Sequence, residues 1–322
     1  MVLKPAPSVE PTESTGEFDI LAFADLHMTN RVPKYVRNEV SMFEQSMLSL
    51  EEIRGIAKYH KVREVVFVGD WFDAPTGNIT ESQMFDLITE LRHWSVPIKA
   101  IPGNHDVKNY NYTMEGVKDS QFGTLIAAGV VKLAIDSSYV IKLDTESDII
   151  STHKNKALVH ALVSNTTLPI DESKYLLSED LMQTNPHIKL FLCGDNHQSF
   201  VTQTNDQLLI NCGSIARSAI NQYDHEPCVW LINSETLEWR RIVLQSLLPA
   251  EQYYKVTPDE VEKKEKKTVS VDVQKLLQAF GNKEVTPDPI EVIKHLLNDR
   301  KVADAVRNKI EEWINANQRT IS

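Results

Sequence analysis

Cysteine is scarce in this chain, long apolar runs are missing, and positive charge is outnumbered. The three cysteines of 322 residues, Cys193, Cys212 and Cys228, all sit in apolar, strand-like stretches. An odd, sparse set of this kind builds no disulfide framework and reads as buried small hydrophobes in a reducing, cytoplasmic setting. No apolar run approaches the roughly 20 residues of a membrane span, so no membrane partner is expected. Lys and Arg number 34 against 45 Asp and Glu, a net charge of −11. That balance argues against nucleic-acid binding by bulk electrostatics. It does not exclude a nuclease, because carboxylates gathered around metal ions count as negative in the sequence yet can form a neutral or positive loaded site. No internal repeat is visible.

What is present describes a globular protein. A hydrophobic fraction of 42% with 25% charged residues is ordinary for a folded chain, and the length suits one large domain with a small appendage. Residues 1–17, "MVLKPAPSVEPTESTGE", lack the apolar core of a signal peptide and read as a flexible extension. The main domain is expected over 18–246 and a linker around the charge run "VEKKEKK" over 247–270. A helical region is expected over 271–322, where Asp288-Pro289 suits a helix start and Val302, Val306, Ile310 and Trp313 recur at helical spacing.

The first hundred residues alternate strand and helix. Strands are expected at Phe18–Ala24, Val65–Val68 and Ile98–Ile101. Between them, Val40, Phe43, Met47, Leu50, Ile53 and Ala57 mark one helix face, and the capping-box spacing of Thr80 and Gln83 opens a second helix. This order predicts parallel strands joined by helical crossovers. The second half has more antiparallel character: short strands over 130–136, 137–144 and 156–164, a helix over Ser173–Gln183, a strand at Leu190–Cys193, and two hairpins, one turning at Asn205-Asp206. The fold class is α/β, with mixed sheets.

Four of these strands end alike. Phe18–Ala24 runs into Asp25-Leu26-His27, Val65–Val68 into Gly69-Asp70, Ile98–Ile101 into Gly103-Asn104-His105-Asp106, and Leu190–Cys193 into Gly194-Asp195-Asn196-His197. Ligands of open α/β sheets bind at the carboxyl ends of parallel strands. Asp and Asn oxygens with His nitrogens suit Mn, Fe, Zn or Mg. Any one of these motifs alone is a common turn; four in one chain, each directly after a strand, point to a metal site.

The ordered signature "DLH … GDWFD … GNHD … H … GDNH" resembles the calcineurin-like metallophosphoesterases, over about Phe18–Gln245. The forms "GDWFD" and "GNHD" look closest to the nuclease subunits of SbcCD-type DNA double-strand-break repair complexes and their phage counterparts. The resemblance implies a four-layer fold of mixed sheets sandwiched between helices, and a two-metal site, with Mn the foremost ion and Mg or Fe as alternatives. Asp25, His27 and His197 match the ligands of one metal, Asp70 the carboxylate that bridges both, and Asn104 a ligand of the second. That metal also needs a histidine, for which His160 in "KALVHALVS" is chosen over His153. His105 matches the histidine that faces the scissile phosphate, Asp73 a supporting position, and Arg217 in "INCGSIARS" a substrate contact. The histidines at 60 and 93 read as helix ends, and those at 187, 225 and 295 as surface residues.

One position departs from the family. The last motif is usually Gly-His-x-His, and its first histidine is here Asp195. Ligation by this harder donor would favour Mn or Mg; the alternative is that Asp195 does not ligate and the second metal is weak or absent. The resemblance implies exonuclease, and in some cases endonuclease, action on DNA in repair or recombination, in a bacterial or phage-infected cell. It also implies a homodimer and an SbcC-type ATPase partner docked on the C-terminal helices; the other reading of those helices is packing on their own core. Hydrolysis of a small phosphodiester or phosphomonoester is the second reading of function, and a catalytically weak binding scaffold the third.

Overall fold

The computed structural model describes residues 17–134, 149–153 and 155–263. Residues 1–16 of the expected extension, the strand expected over 137–144 and the helices expected beyond 271 lie outside them. The chain divides into two compact units after Pro258. The first carries β1 (Ile20–Phe23), α1 (Met42–Tyr59), β2 (Glu64–Val68), α2 (Glu81–Arg92), β3 (Ile98–Ile101), α3 (Met114–Lys118), α4 (Gln121–Ala127) and β4 (Val131–Leu133). Then come β5 (Ile149–His153), β6 (Lys156–Ala161), β7 (Val163–Ser164), β8 (Leu176–Leu177), α5 (Ser178–Thr184), β9 (Leu190–Asp195), β10 (Phe200–Gln203), β11 (Leu208–Asn211), β12 (Cys228–Ile232), β13 (Trp239–Val243) and α6 (Ala250–Tyr253).

Two mixed sheets stack face to face. One has the order β13-β12-β1-β2-β3-β4 and the other β10-β11-β9-β6-β5. Strand alternation builds the layers. Leu21, Phe23, Val65 and Phe67 meet Leu50 and Ile53 of α1 and Leu87 and Leu91 of α2. Ile20, Ala22, Val66 and Val68 point the other way and pack on Leu190, Leu192, Leu208 and Ile210 of the second sheet. The far face of that sheet, with Val159, Phe191 and Leu209, is covered by Leu181 and Met182 of α5. The result is helix, sheet, sheet, helix: the four-layer α/β architecture expected from the sequence. Ser41 caps α1 by accepting the Glu44 N–H, and Thr80 with Gln83 forms a capping box on α2.

Two expectations need correction. The helix expected from Ser173 starts at Ser178, because Leu176–Leu177 pairs in parallel with Val163–Ser164. The linker expected from 247 does not begin there. Tyr253 and Tyr254 are buried with Val36, Val40 and Met42, and Tyr254 bridges Val36 as an antiparallel pair. Aromatic burial ties these residues to the main domain, and the boundary falls after Pro258.

The topology converges the four motifs. β1, β2 and β3 are parallel neighbours, so their carboxyl ends lie about 4.8 Å apart. In the facing sheet β6 and β9 are parallel, with His160 opposite Gly194 and Ala161 opposite Asp195. His153 pairs with Lys156, at the other end of β6 from His160.

Candidate metal centre

Backbone strain marks the site. Seven non-glycine residues among those described have φ in the left-handed region, and four of them are Asp25, His27, Asp70 and Asp195. Such conformations cost about 1–3 kcal/mol each and persist where surrounding contacts enforce them. Here the contacts are main-chain bonds between strand ends: Asp25 N–H to Gly69 O at 3.0 Å, and His27 N–H to Asp70 O at 3.0 Å. Ser214, after Gly213 in "INCGSIARS", donates its N–H to His197 O and its hydroxyl to Asp25 O, each at 3.1 Å, and so locks the first and last motifs together. Gly103 lets two loops approach: a Cβ there would collide with the Asp70 carboxylate and its backbone N.

The candidate donors form two sets that share one oxygen. In the first, Asp25, His27 and His197 offer atoms within 4.8 Å of one another, and the Nε2 atoms of the two imidazoles are 3.1 Å apart. Two nitrogens that each bind one ion at about 2.1 Å, near a right angle, are about 3 Å apart. In the second, His160 donates Nδ1–H to Val68 O at 2.7 Å, which turns Nε2 inward. That nitrogen faces Asn104 Oδ1 at 3.2 Å, Asp70 Oδ2 at 3.3 Å and Asp195 Oδ1 at 3.9 Å. Asp70 Oδ2 also lies 3.6 Å from His27 Nε2. One carboxylate oxygen thus stands between the two sets. The Asp195 side chain is about a third exposed, and its N–H donates to both Asp25 oxygens.

The electrostatics are those of a site short of positive charge. Burial raises Asp25 well above the usual carboxylate range, Asp70 and Asp195 add to the effect, and His160 opposes it. Burial would depress His160, but Asp70 with Asp25 and Asp195 outweighs it and pushes the imidazole well above its ordinary value. In the metal-free chain a proton on His160 does part of what a cation would do. Burial lowers His27 to about 3, and it lowers His197 as well, so both rings are neutral at physiological pH. Neutral imidazoles and ionised carboxylates are the forms that bind divalent metal. On donor chemistry, convergence and charge, these residues fit two divalent ions.

The supporting residues are only partly those expected. Asp73 lies beside the site: its Oδ1 is 3.8 Å from His27 Nδ1, Oδ2 accepts from Arg31 at 2.6 Å, and its carbonyl accepts Nδ1–H of His105 at 2.8 Å. His105 donates its main-chain N–H to Asp70 Oδ1 at 2.9 Å. Arg217 does not reach the donors. It gives Nε–H to His225 O and Nη1–H to Leu248 O, so its guanidinium serves the backbone. His225, read from the sequence as a surface residue, is half-buried, and its ring contacts Ser214 O at 2.6 Å.

Asp106 and Gln222 were not anticipated. Asp106 is buried and accepts N–H bonds from Trp71 at 3.1 Å and from Phe72 and Gly103 at 3.0 Å each. It therefore ties the loop that carries Asp70 to the loop that carries Asn104. Gln222 accepts the Ser218 and Ala219 N–H groups through Oε1, which leaves its amide N–H to donate to His197 Nδ1 at 3.1 Å. The His197 proton then resides on Nε2, and metal uptake through that atom must displace it.

A family model for the calcineurin-like phosphoesterase superfamily domain matches residues 18–234. No curated protein matches the chain. Among solved structures, one similar chain is an archaeal phosphodiesterase, 15% identical, with a TM-score of 0.36, covering 70% of this chain and 99% of its own. The family match spans every strand but β13 and every convergent donor: the chain belongs to the calcineurin-like phosphoesterase superfamily and is a phosphoester hydrolase of that type.

Proposed function

We propose that this protein hydrolyses phosphodiester bonds in DNA, as an exonuclease with some endonuclease capacity in repair or recombination. The observation that carries the reading is the position of Asp70 Oδ2 between His27 and His160. Asp25, His27, Asp70 and His197 would hold one ion, and Asp70, Asn104, His160 and Asp195 the other; Mn is the ion we favour over Mg or Fe. When bound, the ions supply Lewis acidity toward phosphoryl oxygens and a water that ionises near neutral pH.

The chain's own residues then have distinct tasks. The Asp73 carbonyl fixes the His105 proton on Nδ1, which leaves Nε2 as the atom that exchanges a proton with substrate. In its protonated form His105 donates to the departing sugar oxygen. Gly103 and Asp106 hold Asp70 and Asn104 at their separation. The choice of DNA rests on the "GDWFD" and "GNHD" forms of the motifs. The C-terminal region over 271–322 is proposed to dock on an SbcC-type ATPase, with the chain acting as a homodimer.

The test offers the purified full chain with Mn to linear duplex DNA, single-stranded DNA and bis-p-nitrophenyl phosphate. Metal-dependent DNA cleavage, reduced about 10²–10⁴-fold by His105→Asn at unchanged metal content, is expected. Turnover of the small ester without DNA cleavage would make the protein a small-molecule phosphodiesterase. No turnover of any substrate would leave a binding scaffold.

A further inference from the structure

The loop that presents His197 is held by a buried amide that the hydrolytic steps leave unused. The loop is short: β9 ends at Asp195 and β10 starts at Phe200. Asn211, the last residue of β11, pairs with Cys193 on one side and Phe200 on the other. Strand alternation puts its side chain on the face of Leu209, Phe191 and Cys193, which is an apolar layer. An amide in that place needs a reason. It is fully buried, and its Oδ1 has no hydrogen-bond partner among the described residues.

The reason lies in Nδ2. It donates to Asn196 O at 2.6 Å and to Gln198 O at 2.7 Å, the carbonyls on either side of His197. One nitrogen with two N–H groups serves both carbonyls, which a hydroxyl with one proton does not. Turning the amide over would set Oδ1 against both carbonyls and lose both bonds, so its orientation is fixed. The carbonyl between them, on His197 itself, accepts the Ser214 N–H at 3.1 Å. Three consecutive carbonyls are thus bound by Asn211 and Ser214. Asn196 tightens the same turn: its Oδ1 accepts the Gln198 N–H at 3.1 Å, and its Nδ2 donates to Val163 O at 2.7 Å. Gln222 orients the His197 ring through Nδ1, whereas Asn211 fixes the backbone from which that ring projects.

Resting on the two-ion reading of the donor cluster, we propose that Asn211 is a positioning residue for the first ion. By holding the carbonyls of Asn196 and Gln198, it keeps His197 Nε2 at 3.1 Å from His27 Nε2, the separation that one shared ion requires. The second ion does not depend on it. Asn104 and His160 come from other segments, after β3 and in β6, and Asp195 is tied separately through its N–H to Asp25.

The full chain, Asn211→Ala and Asn211→Asp are titrated with Mn by calorimetry, and their crystals at limiting Mn are measured at the Mn absorption edge. The alanine variant removes both donors; the aspartate variant keeps the shape and sets acceptors against the two carbonyls. Affinity for the ion against Asp25, His27 and His197 should fall about 10- to 100-fold, more for aspartate than for alanine. Affinity for the ion against Asn104 and His160 should stay within about threefold. Equal losses at both ions, as a general loosening of the fold would give, or no loss at the first, overturn the proposal. A wild type with a single ion at Asp25, His27 and His197 overturns the two-ion reading; a loss of that ion's affinity in Asn211→Ala still supports the positioning role, and no loss overturns it. One measurement needs no variant. In wild type without metal, the Asn211 amide protons, followed by ¹⁵N NMR, should exchange with solvent at least about tenfold more slowly than those of a free carboxamide. Exchange at the free rate overturns the hold on the loop.

Discussion

Replacing Asp106 with alanine should loosen the metal site without touching a donor. The carboxylate is buried, and Oδ2 takes the Trp71 and Gly103 N–H groups while Oδ1 takes that of Phe72. The substitution orphans three buried donors, at about 1–3 kcal/mol each. Part of that cost is offset. Burial and the nearby Asp70 carboxylate push Asp106 up to about 7 against the pull of those same N–H groups, so its removal also relieves repulsion. A net loss of about 3 kcal/mol is therefore expected. Asp106→Asn keeps one acceptor oxygen and should cost about half as much. Because the bonds join the Asp70 loop to the Asn104 loop, metal affinity should fall about 10- to 100-fold in the alanine variant. Urea unfolding in EDTA, followed by tryptophan fluorescence, reads the first effect, and calorimetric Mn titration reads the second. A stability loss under about 1 kcal/mol, with unchanged Mn affinity, would refute the argument that Asp106 holds the two loops.

Three further outcomes follow from the geometry. Gly103→Ala places a Cβ against the Asp70 carboxylate and should abolish Mn binding while the far-UV circular dichroism stays native; retained binding would contradict the close approach. Gln222→Glu keeps an acceptor for the Ser218 and Ala219 N–H groups and gives His197 Nδ1 an acceptor in place of a donor. It should move the imidazole proton to Nδ1 and tighten Mn binding about tenfold, visible as a tautomer change in ¹⁵N NMR; an unchanged tautomer rules it out. The metal-free protein should respond to acid through His27, whose folded value of about 3 lies below the ordinary 6.5. The unfolded chain binds a proton that the folded chain refuses, so this contribution is present above pH 6.5 and is lost as pH falls toward 3. The urea midpoint of His27→Asn in EDTA should fall less over that window than that of wild type.

Much of the fold was legible because its signals are local. The continuous apolar runs in "DILAFA" and "EVVFV", the Thr80 capping box and the hairpin at Asn205-Asp206 each depend on a few neighbouring residues. The donor side chains were legible for a related reason: each directly follows the strand that places it. His160 was harder, since an apolar strand holds it and only the pairing with β9 shows its direction. Residues that act at long range gave no such signal. Asp106 looks like the tail of a turn until its bonds to Trp71 and Phe72 are seen. Gln222 lies 25 residues beyond the histidine it contacts. Arg217 stands between Ala216 and Ser218, which line a cavity beside His27, but its guanidinium reaches back to Leu248. The β8 pairing that delays α5, and the tyrosines that extend the domain to Pro258, are likewise tertiary facts.

Two ions sharing Asp70 are the core of the proposed site. Crystals of the Mn-loaded full chain, measured at the Mn absorption edge, should show two anomalous peaks. One is expected against Asp25, His27 and His197 and the other against Asn104 and His160, with Asp70 Oδ2 touching both and Asp195 completing the second. A single peak at saturating Mn, with Asn104 and His160 in contact with each other and no ion, would contradict it.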